Sequence, residues 1–241
     1  MNQIIAHRGA SAYAPENTMA SFNKAFSLGS RFVEFDVMLS ADGYPFIFHD
    51  ESLKRTTNGR GEFGLTNAET IQSLDAGSWL SKRFQDEKIP SLLTTIEWLL
   101  ASDVYANIEI KPYPGTTEST TVAVLTHLNR YWPTDKKLPI VSSFDKDALT
   151  LCRSLSPEMP LGFLMDSWEE DWLMQAKKMD AYSVHLSRKA TTSARVQAIK
   201  AEGFKVFVYT VNNPHQARTL LKWGVDAVFS DYPDLLGLMN V

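Results

Sequence analysis

Cysteine is almost missing from this chain: Cys152 is the single one, so no internal disulfide can form. It falls in an amphipathic stretch where a buried thiol is expected, compatible with a reducing compartment. Long basic runs are also missing. Lys plus Arg total 24 against 28 Asp plus Glu, a net charge of -4, which argues against a phosphate-tracking surface for nucleic acid. No run of about 18 uncharged, mostly apolar residues occurs, so no membrane-spanning helix is expected. The N-terminal MNQIIAHRG has only a short apolar stretch with no basic lead, unlike a secretory signal. The expected location is therefore the cytoplasm, with no membrane partner.

What is present suits a soluble globular protein: 241 residues, 44% hydrophobic and 22% charged, read as one domain over 1–241. A short apolar run followed by a helical pattern recurs along the chain. Three junctions share one form, FSLGSRFVEFDV, KAEGFKVFVYTV and LKWGVDAVFSDY, in which Gly29, Gly203 and Gly224 suit the left-handed residue that ends a helix. The pattern predicts strands near residues 3–6, 32–37, 106–110, 139–143, 161–165, 181–186, 204–210 and 226–230, with helical patterns between most of them. Eight alternating units imply parallel pairing and an α/β fold, a (β/α)8 TIM barrel, with an open doubly wound sheet as the alternative. One stretch, about residues 42–90, breaks the rhythm with an extra strand, YPFIFHD, and a turn-rich run. It reads as a small subdomain inserted after the second barrel strand, placed to roof the barrel mouth.

Strand alternation locates the chemistry. In FVEFDV, Phe32, Glu34 and Asp36 share one face, and in NIEIK, Asn107, Glu109 and Lys111 do. The valines and isoleucines of the opposite faces belong against helices, so the carboxylates point inward. Charge in an interior is costly unless it is paired or binds a cation. Glu34, Asp36 and Glu109 therefore form a candidate all-oxygen site for one hard divalent cation, Mg2+ or Ca2+. The competing reading pairs Glu34 or Glu109 with Lys111 or Arg8. His7 and His49 end strands beside Arg8 and Asp50 and are candidate proton-transfer groups. His127 and His215 read as structural, while His185 in SVHLS has the parity for an inward, substrate-side position. Three carboxylates, a divalent ion, Arg8 and Lys111 sum to one positive charge, which a phosphodiester would balance. The helix after PEN, capped by Asn17 or Thr18, starts beside the same mouth, with Glu16 expected as a structural anchor.

Taken together, HRG at 7–9, PENT at 15–18, EFD at 34–36, HD at 49–50, RTTNGRG at 55–61, DAGSW at 75–79, IEIKP at 108–112, SSF at 142–144, YTVN at 209–212 and SDYP at 230–233 resemble the glycerophosphodiester phosphodiesterase family. The set runs the length of the chain in the family's order and looks most like the bacterial cytoplasmic form. The resemblance implies metal-dependent hydrolysis of small-molecule glycerophosphodiesters to sn-glycerol 3-phosphate and an alcohol. It implies a cation on Glu34, Asp36 and Glu109, acid/base work by His7 and His49, and phosphate binding by Arg8 and Lys111. Phe144 and Tyr209 would wall the glycerol pocket. Rival readings are a Schiff-base lyase on Lys111, a non-catalytic phosphate-ester module, and a lipid-cleaving relative, although no amphipathic docking helix with a basic face is evident. A homodimer is the commonest assembly, but nothing in the sequence demands one.

Overall fold

The computed structural model describes residues 3–235. Along the chain run β1 (Ile4–His7), α1 (Met19–Ser27), β2 (Phe32–Leu39), β3 (Pro45–Ile47), α2 (Ala68–Ser73), α3 (Leu92–Ser102), β4 (Tyr105–Ile110), α4 (Thr117–Tyr131) and β5 (Ile140–Ser143). There follow α5 (Lys146–Leu155), β6 (Leu161–Met165), α6 (Trp172–Lys178), β7 (Ser183–Ser187), α7 (Ser193–Ala201), β8 (Lys205–Tyr209), α8 (Pro214–Lys222) and β9 (Ala227–Ser230). All strands but β3 pair in parallel in the order β1-β9-β8-β7-β6-β5-β4-β2, and β1 pairs again with β2. That last pairing closes an eight-stranded (β/α)8 barrel with its helices outside.

Local chemistry explains the elements. Outward-facing Val33, Phe35 and Val37 of β2, with Ile108 and Ile110 of β4, are fully buried in the layer between barrel and helices. Inside, Ile5, Phe32, Ile140, Phe207 and Phe229 fill the floor of the barrel. Gly29, Gly203 and Gly224 have φ of 87°, 88° and 98°, so the three repeated junctions end their helices as the sequence pattern predicts. Thr18 caps α1 through a reciprocal pair with Ser21, which settles the Asn17 or Thr18 alternative.

Between β2 and α3 the chain adds β3, α2 and two 3-10 turns at Phe63–Leu65 and Lys82–Phe84. β3 lies antiparallel on the C-terminal end of β2, with Val37 opposite Ile47 and Leu39 opposite Pro45. Phe46, Phe48, Phe63 and Ile71 form an apolar cluster of their own there, and the rings of Phe48 and Phe63 stack at 4.6 Å. This second cluster anchors the segment on the same barrel end where β1, β2 and β4 finish.

Candidate active site

The register of β2 and β4 sets the acids at one depth: Glu34 lies beside Asn107, and Asp36 beside Glu109. Inward parity does the rest, and Glu34, Asp36 and Glu109 are all buried with ligand oxygens within 4.8 Å of one another. Such a cluster repels itself. Burial, together with the charges of Asp36 and Glu109, pushes Glu34 well above the usual carboxylate range, and burial with Asp36 pushes Glu109 up to about 8. Asp36 goes the other way; burial raises it, but Arg8, His49 and Lys111 outweigh that and hold it low. Three buried oxygen donors short of positive charge fit a hard divalent cation, and they leave coordination positions for further oxygens. The backbone N–H of Arg8, a residue in the left-handed region at φ 53°, donates to Glu34 Oε2 at 2.9 Å. Asn17, also left-handed at φ 56°, donates Nδ2 to Asp36 Oδ2 at 2.9 Å. Two residues held in so sparsely populated a conformation aim their groups at the acids.

Each imidazole is tied to a carboxylate. His7 Nδ1 lies 2.7 Å from Asp231 Oδ1, which sets the tautomer and leaves Nε2 for the cavity. Ser11 Oγ donates to the same Asp231 oxygen, and Asn212 Nδ2 donates to the other. Burial works against the Asp231 charge, but its hydrogen bond and ion pair with His7 hold it down at about 2. His49 Nδ1 lies 2.6 Å from Asp50 Oδ1, and Lys111 Nζ donates to its Nε2 at 2.7 Å. Burial lowers the His49 pKa, aided by the Arg8 and Lys111 charges against the opposing pull of Asp36. Lys111 also sits 4.0 Å from Glu109, so it spans an acid and an imidazole rather than neutralising one acid.

Several of these side chains line one cavity of about 130 Å³ at the C-terminal ends of the strands. His7, Arg8, Glu34, His49, Glu109 and Lys111 make a polar wall, and Phe144, Leu164, Tyr209 and Phe229 make an apolar one. Phe144 and Tyr209 meet edge to face, with centroids 5.8 Å apart. His185 is not on either wall. It is fully buried against Phe207 and Phe229, bonded to Ser183 Oγ at 2.8 Å, and burial pushes its pKa down to about 3. Its parity is inward, but it pairs with Phe207, a layer below Tyr209, so it belongs to the barrel floor. His127 bonds the Ala123 carbonyl within its own helix, as its structural reading predicts. Glu16 is an anchor, accepting from both Arg8 and Arg55.

A sequence model of the Glycerophosphoryl diester phosphodiesterase family matches residues 7–235. The chain belongs to that family. As a member it is a phosphoric diester hydrolase of the glycerophosphodiester phosphodiesterase type. It is 35% identical over 238 residues to a glycerophosphodiester phosphodiesterase of Caldanaerobacter subterraneus subsp. tengcongensis, covering 97% of this chain and 95% of that protein. It is 33% identical to one of Bacillus subtilis, over 96% of this chain and 84% of that protein. Among solved structures, an Oleispira antarctica phosphodiesterase in complex with the product sn-glycerol-3-phosphate superposes with a TM-score of 0.95 at 40% identity, covering 99% of this chain and 97% of that one. In this family member, the imidazoles, the cations, Glu34 and Glu109 named from the sequence line one cavity, and the Asp36 carboxylate lies within 4.8 Å of the two glutamates. The roles of Asn17, Asp50, Arg55 and Asp231 escape strand parity because all four lie outside the strands, in loops. Their signal is membership of the PENT, HD, RTTNGRG and SDYP motifs.

Proposed function

We propose that this phosphodiesterase hydrolyses glycerophosphodiesters to sn-glycerol 3-phosphate and an alcohol, using one divalent cation, Mg2+ or Ca2+, and two histidines. One observation carries the reading: two carboxylate-tethered imidazoles and two cationic side chains line a cavity with Glu34 and Glu109, whose carboxylates cluster with that of buried Asp36. The likeness to a phosphodiesterase in complex with sn-glycerol-3-phosphate supports the product assignment. Glu34, Asp36 and Glu109 would hold the cation, which supplies Lewis-acid stabilisation of charge on the phosphoryl oxygens when bound.

The chain's own groups divide the remaining work. Arg8 and Lys111 bind the non-bridging phosphate oxygens. Burial disfavours the Arg8 charge, but Asp36, Glu16 and Glu34 outweigh it and keep the guanidinium protonated. Displacement at phosphorus puts entering and leaving oxygens on opposite sides, so one imidazole takes a proton from the entering oxygen and the other gives one to the departing alcohol. The apolar wall of Phe144, Leu164, Tyr209 and Phe229 receives the glycerol carbons and limits water. Residues 42–90 act as an inserted subdomain beside the mouth, where they bear on the choice of alcohol. A cytoplasmic enzyme is part of this reading, supported by the one buried thiol, whose pKa burial pushes up to about 12. Among the described residues no helix is long and apolar enough to cross a membrane.

The test is turnover of a panel of glycerophosphodiesters with chelator and with Mg2+ or Ca2+ restored, reading sn-glycerol 3-phosphate directly. Activity lost to chelator and regained with cation is expected. Cation-independent turnover, or release of free glycerol with a phosphorylated alcohol, would overturn the reading.

A further inference from the structure

Arg55 belongs to the segment between β3 and α2, outside the cavity, and its side chain is 45% exposed. Its guanidinium nevertheless makes four hydrogen bonds to two carboxylates. Nη1 donates to Glu16 Oε2 at 2.7 Å and Nη2 to Glu16 Oε1 at 2.8 Å. Nε donates to Asp50 Oδ2 at 2.5 Å, and Nη2 to Asp50 Oδ1 at 2.9 Å. Each of those carboxylates touches the polar wall. Glu16 Oε1 also accepts from Arg8 Nη1 at 2.8 Å, and Asp50 Oδ1 holds His49 Nδ1 at 2.6 Å.

We propose that Arg55 is a positioning residue for hydrolysis, holding Glu16 and Asp50 together so that Arg8 keeps its charge for the phosphate and His49 keeps its ring orientation. Glu16 stands between two guanidinium groups and shares one negative charge with both. Without Arg55 the whole of that charge falls on Arg8, and the cation facing the phosphate is largely cancelled. Asp50 at the same time loses the fork that fixes its plane, and the imidazole bonded to it gains freedom. Catalysis is sensitive to such freedom, since a displacement of about 1 Å in a reacting group costs on the order of 10²-fold. A planar guanidinium can serve two carboxylates at once, whereas a lysine ammonium is a single point charge and cannot reproduce the fork. Removing the whole fork from these partly buried carboxylates can cost stability as well, so the variant that keeps the positive charge, Arg55→Lys, is the one whose effect belongs in turnover rather than in the melting temperature.

This rests on the roles proposed for Arg8 and His49, and the experiment separates the two. Wild-type enzyme, Arg55→Lys, Arg55→Ala and Arg83→Ala are assayed on glycerophosphocholine with saturating Mg2+, with and without added guanidinium, alongside thermal melts. Arg83 is the control because it too reaches the barrel from the inserted segment, donating to the Tyr13 carbonyl at 2.7 Å, but leads to neither Arg8 nor His49. Both Arg55 variants are expected to lose about 10- to 100-fold in kcat/KM, Arg55→Lys with near wild-type melting. Guanidinium should restore much of the Arg55→Ala loss and leave the wild type and Arg83→Ala unchanged. Arg55→Lys, which keeps the charge and with it the fold, carries the test if Arg55→Ala does not fold. Arg55 variants within twofold of an active wild type, or losses that follow melting temperature and resist guanidinium, overturn the positioning role alone. An inactive wild type overturns the reading on which it rests.

Discussion

A histidine ring is useful to catalysis only when one nitrogen is committed, and here Asp231 and Asp50 commit Nδ1 of His7 and His49. Replacing either histidine by alanine should lower kcat on the order of 10²-fold or more while leaving the melt nearly unchanged, as measured by steady-state kinetics and calorimetry. Near-normal turnover would remove that ring from the reaction. Asp231→Asn puts an amide where the carboxylate fixed the tautomer, and a loss of about 10- to 100-fold in kcat is expected. Equal activity in that variant would show that the tether to His7 is only structural. That His7 and His49 face the cavity was legible in the sequence because one ends β1 and the other follows β3 by two residues, each beside a charged residue. Their partners were less so: Asp231 lies 224 residues from His7, and no local period links them.

Elements carry the site by their caps and turns as well as by strands. In the inserted segment, Asp75 accepts from the backbone N–H groups of Gly77, Ser78 and Asp86 at 2.7–2.8 Å. Burial opposes its charge, but these bonds together, with the Ser78 hydroxyl, outweigh it and hold its pKa far below the ordinary value. A carboxylate depressed in the folded state stabilises it above the unfolded pKa of about 3.9, and that contribution fades as the pH falls below it. Asp75→Asn should therefore cost about 1 kcal/mol at neutral pH, after allowance for solvent exposure, or 2–4 °C in melting temperature. The deficit should shrink on acidification below about pH 4; a deficit that stays constant with pH would place the effect elsewhere. The order of strands and helices, with the extra strand after β2, was legible because periods of 2 and 3.6 are local properties of the chain. The packing of Phe48 on Phe63 depends on a turn path that no short window contains.

At the scale of the whole molecule, the barrel carries three acids at its mouth as a load that a cation would relieve. Burial and the Asp36 charge raise Glu109 to about 8, and Glu34 is raised as well. The folded protein thus keeps protons that the unfolded chain releases near its usual 4.5, and stability falls as pH rises towards 8. From about pH 7 upward the lowered His49 and His185 are neutral in both states and do not mask this. Melting temperature in chelator should accordingly decline from about pH 7 to pH 8, whereas Mg2+ or Ca2+ at 100 times its Kd should add about 2.7 kcal/mol and flatten the profile. A profile unaffected by either cation would mean that the acids hold no metal. Sequence alone determined the alternation of strands and helices and the inward face of Glu34, Asp36 and Glu109, since side-chain direction in a strand follows from the backbone. Depth, closure and pairing were decided only by the tertiary structure. Parity turns His185 inward, but register places it beside Phe207 on the floor. Only closure of β1 against β9 and β2 brings Asp231 to His7, and only the packed insertion brings Arg55 to Glu16, because contacts between distant segments depend on how the elements assemble.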